Sequence, residues 1–586
     1  MFKRLICSNL MPVASGNWKH SASSRNFAFK RYESRRGSQR RSHYDLYGPD
    51  GGHMTGRAGL ICLSSVVTAG MILRCDQIGC RSFWLDEAYS WTMATRFSLR
   101  EIVLRTANDF HPPLYYIVLK CWIAIVDDSE VAQRSLSVLF DLLTMVCLYQ
   151  FCCDAFAAKK GSCNDENVES RRSVGCLAAA FYAVNAIHIH WSVETRMYSM
   201  ASFLAVLSSW LLVRSISSAE RQWWFAYVLS VTSLLYTHNY GLFTVFGQAC
   251  FVVALLGKNL VTQPWKRYDV TTRGSDLSNS LVSMVTAAIV ICVSFLPWLS
   301  ILFKQTEQAH AGYWIPKFEW WTIPKTWVDL LIHEDKPVEF RDSATTLTTS
   351  LVSLTVIFCF AWKVRTRGAV LLLAVIVSPI VCSAAISVIA LPIITSKHYL
   401  TACGFFFCAL AYVIRILLPR PVSNAAAGIL IVNMLYVHLC YRDERQICEN
   451  SGLRAAVLHL ADHIQEGDSV AVANQGMLLT TRYYMSRMLR NSESKDVATA
   501  KLFYSVPLIS WLGSALIDEK DRMSANELTL SNRKRVWVIG STGDSPRGLD
   551  ELPASTWAER SAVAFRSKYS FEGDIRLWLY MPRESS

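Results

Sequence analysis

The sequence predicts an all-α polytopic membrane bundle of about eleven transmembrane helices with a small C-terminal α/β domain outside the membrane. Three observations predict it. Hydrophobic residues make up 52% of the 586 residues and charged residues 18%, with a mean hydropathy of +0.23, whereas soluble domains carry about 25% charged residues. Apolar runs approaching the ~20 residues that cross a bilayer recur through most of the chain. After the last run, helical and strand patterns alternate. This composition excludes collagen, coiled coil, wholesale disorder and a small disulfide scaffold.

Residues 1–57 are rich in Arg, Lys, Ser and Gly, and their acids are Glu33, Asp45 and Asp50. The segment has no continuous apolar core before a small-residue cleavage site, so it is not an ordinary signal peptide. It is expected to be a disordered basic cytoplasmic tail that holds the first span with its N-terminus inside.

Candidate spans follow at 58–74, 135–153, 174–190, 197–214, 223–237, 240–257, 281–303, 347–362, 369–391, 399–418 and 424–440. Segment 112–126 is apolar but short, opens on Pro112 and Pro113, and contains Lys120. If it does not cross, every basic loop cluster falls on the cytoplasmic side: Lys159, Lys160, Arg171 and Arg172; Arg214 and Arg221; Lys258, Lys266, Arg267 and Arg273; Lys363, Arg365 and Arg367; Arg415 and Arg420. It is therefore expected to lie along the outer interface within one long loop, 75–134. Residues 58–441 are read as the transmembrane domain and 442–586 as the outer α/β domain. The latter has helices near 452–465 and 477–490 and strands near 468–473, 535–539 and 575–580. Gly540, Gly543 and Gly548 are spaced too loosely for a dinucleotide fingerprint. The net charge of 59 − 46 = +13 is spread between apolar runs, which is a topology signal rather than a nucleic-acid-binding face. The 18 cysteines include no CxxC pair, and many sit inside apolar runs as small buried residues.

The outer loops hold clusters of residues that are unusual for a membrane surface. Asp86 and Glu87 stand among Phe83, Trp84, Leu85, Tyr89 and Trp91, where charge is costly without a partner or a role. His111 precedes Pro112 and Pro113, and Arg134 opens the second span. Glu194, Arg196 and Tyr198 share one turn, His238 and Asn239 another, and Lys397, His398 and Tyr399 a third. All are expected on one side of the membrane. A carboxylate there can take a proton from an acceptor hydroxyl. Arg and Lys can hold a phosphate that becomes the leaving group. The chemistry suggested is glycosyl transfer from a lipid-phosphate sugar. A divalent metal is compatible with Asp86, Glu87, Glu194 and His238, but no spacing demands one.

On Asp86-Glu87, His111-Pro112-Pro113-Leu114, Arg134, and Glu194 with Arg196, the chain resembles the GT-C glycosyltransferases of the bacterial protein-mannosyltransferase and aminoarabinose-transferase type. The resemblance spans roughly 58–441, with a weaker echo in the tail. It implies an inverting enzyme of the cell membrane, with a polyprenyl-phosphate sugar as donor and a glycan, lipid or protein as acceptor. It implies Asp86 as catalytic base with Glu87 beside it and Glu194 as second-loop acid. His111, Arg134, Arg196, Tyr198, His238, Lys397, His398 and Tyr399 are the implied substrate-binding set. The chain departs from the pattern at Glu194, where an Asp is expected, and at Lys397-His398-Tyr399, where relatives often have Arg-Tyr. Two other readings fit the composition: a transporter or flippase of lipid-linked sugars, and an inactive membrane scaffold. A transporter should carry polar residues mid-span and a repeat between halves; here the polar clusters sit at the outer ends.

Overall fold

The computed structural model describes residues 52–76, 78–157, 165–218, 220–262, 274–310, 315–332, 343–363, 366–448, 452–488, 500–503, 514–524, 535–541, 556–566 and 574–583. The chain divides into Met1–Gly51 and one compact unit, Gly52–Ser586. The expected N-terminal tail up to residue 51 lies outside the described residues, as do Lys159, Lys160, Lys266, Arg267, Arg273, Arg365, Gly543 and Gly548.

Among the described residues, eight helices are long and apolar enough to cross a membrane: Arg57–Cys75, Glu130–Ala155, Tyr198–Ser217, Leu281–Gln308, Thr345–Lys363, Arg367–Ile389, Ser396–Leu417 and Arg420–Cys440. The chain is a multi-pass membrane protein. The expected span at 174–190 is a broken one: Val168–Val184 and Ala186–Ser192 meet at 66°. Asn185 makes the break, because its side chain accepts the His188 N–H and caps a new helix. The expected span at 223–237 is the 15-residue helix Arg221–Leu235. That is about 22 Å at 1.5 Å per residue, short of a ~30 Å hydrocarbon core. Segment 112–126 forms the helix Leu114–Ile125, whose 12 residues reach only about 18 Å. The last apolar helix continues without a break through residue 441, in Arg420–Cys448.

One charged pair sits inside the bundle. Arg74 donates to Asp141 at 2.5 Å and to the carbonyls of Gly70, Ala183 and Tyr182, while the Tyr182 hydroxyl donates to Asp141 at 2.6 Å. Both charges are buried. Buried ions persist only when paired and hydrogen-bonded, and here the pairing braces three helices against one another.

The C-terminal layer is a six-stranded sheet of β1 (Ser469–Val472), β2 (Lys501–Phe503), β3 (Arg522–Met523), β4 (Val536–Ser541), β5 (Trp557–Phe565) and β6 (Ile575–Pro582), in the order β3-β2-β1-β4-β6-β5. The first four are mutually parallel, and β6 runs antiparallel to β4 and β5 to β6. The helices Leu453–His463 and Gln475–Met488 supply buried residues to the same core. The expected strands at 468–473, 535–539 and 575–580 are β1, β4 and β6.

This layer is fastened to the loop that follows the first span. Phe83 and Trp91 belong to its hydrophobic core. Phe83 stacks on Tyr483 at 4.5 Å, and the Phe83 N–H donates to the Tyr484 hydroxyl at 2.6 Å. Tyr484 in turn donates to Glu130. Arg454 donates to Glu130 and, at 2.7 Å, to the Arg81 carbonyl. The segment leading to Asp86 is thus held from both sides.

Candidate active site

The helix Leu85–Arg96 begins with Asp86 and Glu87 in its first turn, where carboxylates complement the positive end of the helix dipole. The two acids then diverge. Glu87 is fully buried. It accepts two bonds from Arg134, at 2.8 and 2.7 Å, and the Thr195 N–H at 3.0 Å. The remaining Arg134 N–H groups donate to the carbonyls of Ile78, Arg81 and Ser82 at 2.8, 3.1 and 3.3 Å. A guanidinium has five N–H donors, so Arg134 has none left for a phosphate. Expected as a substrate ligand, Arg134 instead forms a tie between the first loop and the second. Glu194 is also enclosed: Trp84 donates to it at 2.5 Å and Arg81 at 3.0 Å. Burial, and then the charge of Glu87, hold its carboxyl above the ordinary range.

Asp86 is different. Its side chain remains 26% exposed and faces Arg196, with Oδ2 3.7 Å from Nε. Arg196 is buried, its Nε has no hydrogen-bond partner, and one terminal nitrogen reaches the Asp86 carbonyl at 3.4 Å. Burial opposes its charge, but Asp86, Tyr116, Tyr198 and Asp109 more than offset this and keep it protonated.

Three more turns converge on Arg196. The loop before Leu114–Ile125 is pinned to the Tyr236–Tyr240 turn, where Leu114 N–H donates to the Tyr236 carbonyl at 3.0 Å and Asn239 to the Phe110 carbonyl at 2.9 Å. This sets the His111 and His238 rings 5.7 Å apart. The third turn, Ser396–Tyr399, brings the His398 ring to 5.3 Å from His238. Its neighbour Lys397 lies over the rings of Trp191 and Tyr198, at 5.4 and 5.6 Å. Tyr399 is turned away, hydrogen-bonded to Ser383. Burial, then Arg196, push the His111 imidazole well below its ordinary value, and burial, Arg196 and Lys397 take His238 to about 3.

The sequence reading missed Asp109. It sits two residues before His111, beside Tyr89, Arg196 and Asp86, and burial raises its carboxyl to about 6 even against the Arg196 charge. The available signal was an acid directly ahead of the His111-Pro112-Pro113 turn. Among the described residues, no group of three or more His, Cys, Asp or Glu is placed to hold a metal ion. The arrangement offers two carboxylates flanking one guanidinium, with a lysine and three imidazoles close by. It suits proton abstraction beside a bound anion.

No protein-family model and no curated protein sequence matches the chain. Solved structures do. ArnT from Cupriavidus metallidurans in the apo state superposes with a TM-score of 0.53 at 12% identity, over 90% of this chain and 98% of its own. The same protein bound to undecaprenyl phosphate gives 0.51 at 11% identity, over 89% and 98%. The chain has the GT-C fold. Arabinosyltransferase EmbB from Mycobacterium smegmatis superposes at 0.38 with 16% identity, over 64% of this chain and 32% of its own, too loosely to bear on the fold. Within the GT-C fold, the Asp86, Asp109 and Arg196 cluster is formed by turns at one end of the helices.

Proposed function

We propose that the chain is an integral-membrane glycosyltransferase that moves a sugar from a polyprenyl-phosphate donor to an acceptor hydroxyl. The observation that carries this reading is the pairing of partly exposed Asp86 with buried Arg196, whose Nε lacks a hydrogen-bond partner. The ArnT likeness supports it, since one of those structures is bound to undecaprenyl phosphate. Asp86 takes the proton as the acceptor oxygen attacks the anomeric carbon. The bond from that carbon to the phosphate oxygen breaks, and its electron pair stays on the phosphate. Arg196 and Lys397 hold the charge that develops there. Attack from the face opposite the phosphate inverts the anomeric centre. Glu87, Arg134 and Glu194 shape the site without touching the substrate.

The test is release of polyprenyl phosphate from synthetic polyprenyl-phosphate sugars by the purified protein. Thin-layer analysis of lipid-linked sugars in cells lacking the protein selects the sugar, as the donor that accumulates. Arg196→Ala should weaken donor use by about 1.5–3 kcal/mol, the worth of a charge-assisted hydrogen bond, with the protein still folded. No turnover of any such donor by the native protein would overturn the reading. An unchanged donor dependence in Arg196→Ala would move the phosphate elsewhere.

The site is assigned to the extracytoplasmic side, with the N-terminus cytoplasmic. The basic residues Arg171, Arg172, Lys363, Arg367, Arg415 and Arg420 lie at the opposite ends of the helices from the motif turns. A reporter active only in the cytoplasm, fused after residue 586, should be silent; activity there would reverse the assignment.

A further inference from the structure

The turn between the helices Arg221–Leu235 and Gly241–Thr262 fixes His238 in one tautomer. The backbone N–H of Tyr240 donates to His238 Nδ1 at 3.1 Å. A ring nitrogen that accepts a hydrogen bond carries no proton, so a neutral imidazole so held has its proton on Nε2. The ring is neutral, because burial and the charges of Arg196 and Lys397 bring it to about 3. Its Nε2–H is therefore a donor. That atom has no hydrogen-bond partner, and the residue is only 4% exposed.

A buried donor without an acceptor is costly, and the surroundings identify what would satisfy it. The charges acting on His238 are both cations, Arg196 and Lys397. The rings around it are His111 at 5.7 Å, Tyr198 at 5.8 Å, Tyr240 at 5.7 Å and His398 at 5.3 Å. Arg196 Nε, in the same cluster, is a second buried donor without a hydrogen-bond partner. These two donors, the second held only by its 3.7 Å ion pair with Asp86, fit an anion with several acceptor oxygens.

We propose that His238 is a binding residue for the donor's phosphoryl group, its Nε2–H, aimed by the Tyr240 N–H, donating to a phosphate oxygen beside Arg196. The inference rests on the lipid-phosphate reading and extends it. The His238 imidazole donates this bond without giving up its proton, and the bond strengthens as negative charge builds on the departing phosphate. The fixed tautomer makes this the role of one nitrogen rather than of the ring as a whole.

That distinction gives the experiment. In His238→Gln the side-chain amide nitrogen reaches the former Nε2 position, whereas His238→Asn places its oxygen near the former Nδ1. Asn thus keeps the acceptor for Tyr240 and loses the donor into the site. Binding of polyprenyl phosphate and of inorganic phosphate to the full-length protein in detergent is measured by calorimetry. His238→Gln should bind polyprenyl phosphate close to native affinity, and His238→Asn about 10- to 100-fold more weakly. Native-like binding by His238→Asn, or equal losses in both variants, would overturn the proposal, since His238 would then serve only its own turn. If the native protein binds no polyprenyl phosphate, the lipid-phosphate reading itself fails. Inorganic phosphate bound as tightly as the lipid would overturn the lipid source of the anion.

Discussion

Asp86→Asn should lower turnover by about 10²–10⁴-fold, the usual contribution of a general base, while donor binding survives. Asparagine keeps the shape of the side chain but cannot take the acceptor's proton. Asp86 is reachable, 26% exposed and facing Arg196 at 3.7 Å, whereas Glu87 and Glu194 are enclosed by their partners. Asp109 should act on Asp86 through the field. Its carboxyl titrates at about 6, so lowering the pH through that value neutralises it. Arg196 then loses one of its two countercharges, and Asp86 loses a neighbouring negative charge. Both changes strengthen the hold of Arg196 on the Asp86 carboxylate and so slow its approach to the acceptor hydroxyl. Transfer by the native enzyme should therefore decline as pH falls through about 6. Asp109→Asn should remove that limb and stay at the slower plateau. The check is kcat/KM against pH for native protein and both variants. Near-normal transfer by Asp86→Asn would end its assignment, and a larger loss in Asp109→Asn would move the base to Asp109.

The bundle was legible because the signal is composition over long windows. A hydrocarbon-crossing helix must be apolar for most of its length, and Pro112 with Pro113 marked a helix too short to cross. The break at Asn185 was less visible, since one polar residue in an apolar run reads equally well as a tolerated neighbour. In the C-terminal layer, β1, β4 and β6 are apolar enough to stand out. Three-residue β2, two-residue β3 and the half-exposed edge strand β5 carry too little pattern to be seen. The site was legible as residue types at loop positions, not as partnerships. Nothing local to Arg134 tells that all five of its donors are taken by residues from 47 to 56 positions earlier in the chain. Asp109 was hidden for the converse reason. An acid in a loop is ordinary, and only folding places it beside Asp86 and Arg196.

Arg134→Ala should destabilise the protein by about 3–5 kcal/mol, the cost of leaving one partner of a buried ion pair alone. The pair is closed on both sides, with side chains 1% and 0% exposed. Glu87 also holds Thr195 N–H, so the loss should loosen the Val193–Met197 turn, which carries Arg196. Glu87→Gln should cost a comparable amount, because Arg134 keeps its charge with fewer acceptors around it. Replacing both, as Glu87→Gln with Arg134→Met, should cost clearly less than the two single losses added together, since no unpaired charge then remains. Unfolding in detergent, followed by a denaturant midpoint, measures all three. This comparison separates a tie from a ligand. A tie predicts lower stability in the single variants, partial recovery in the double, and a donor KM close to native in whatever protein stays folded. A phosphate ligand predicts a stable Arg134→Ala protein with a donor KM raised as in Arg196→Ala. That outcome would return Arg134 to the binding set and require a rearrangement of the five hydrogen bonds that now occupy it.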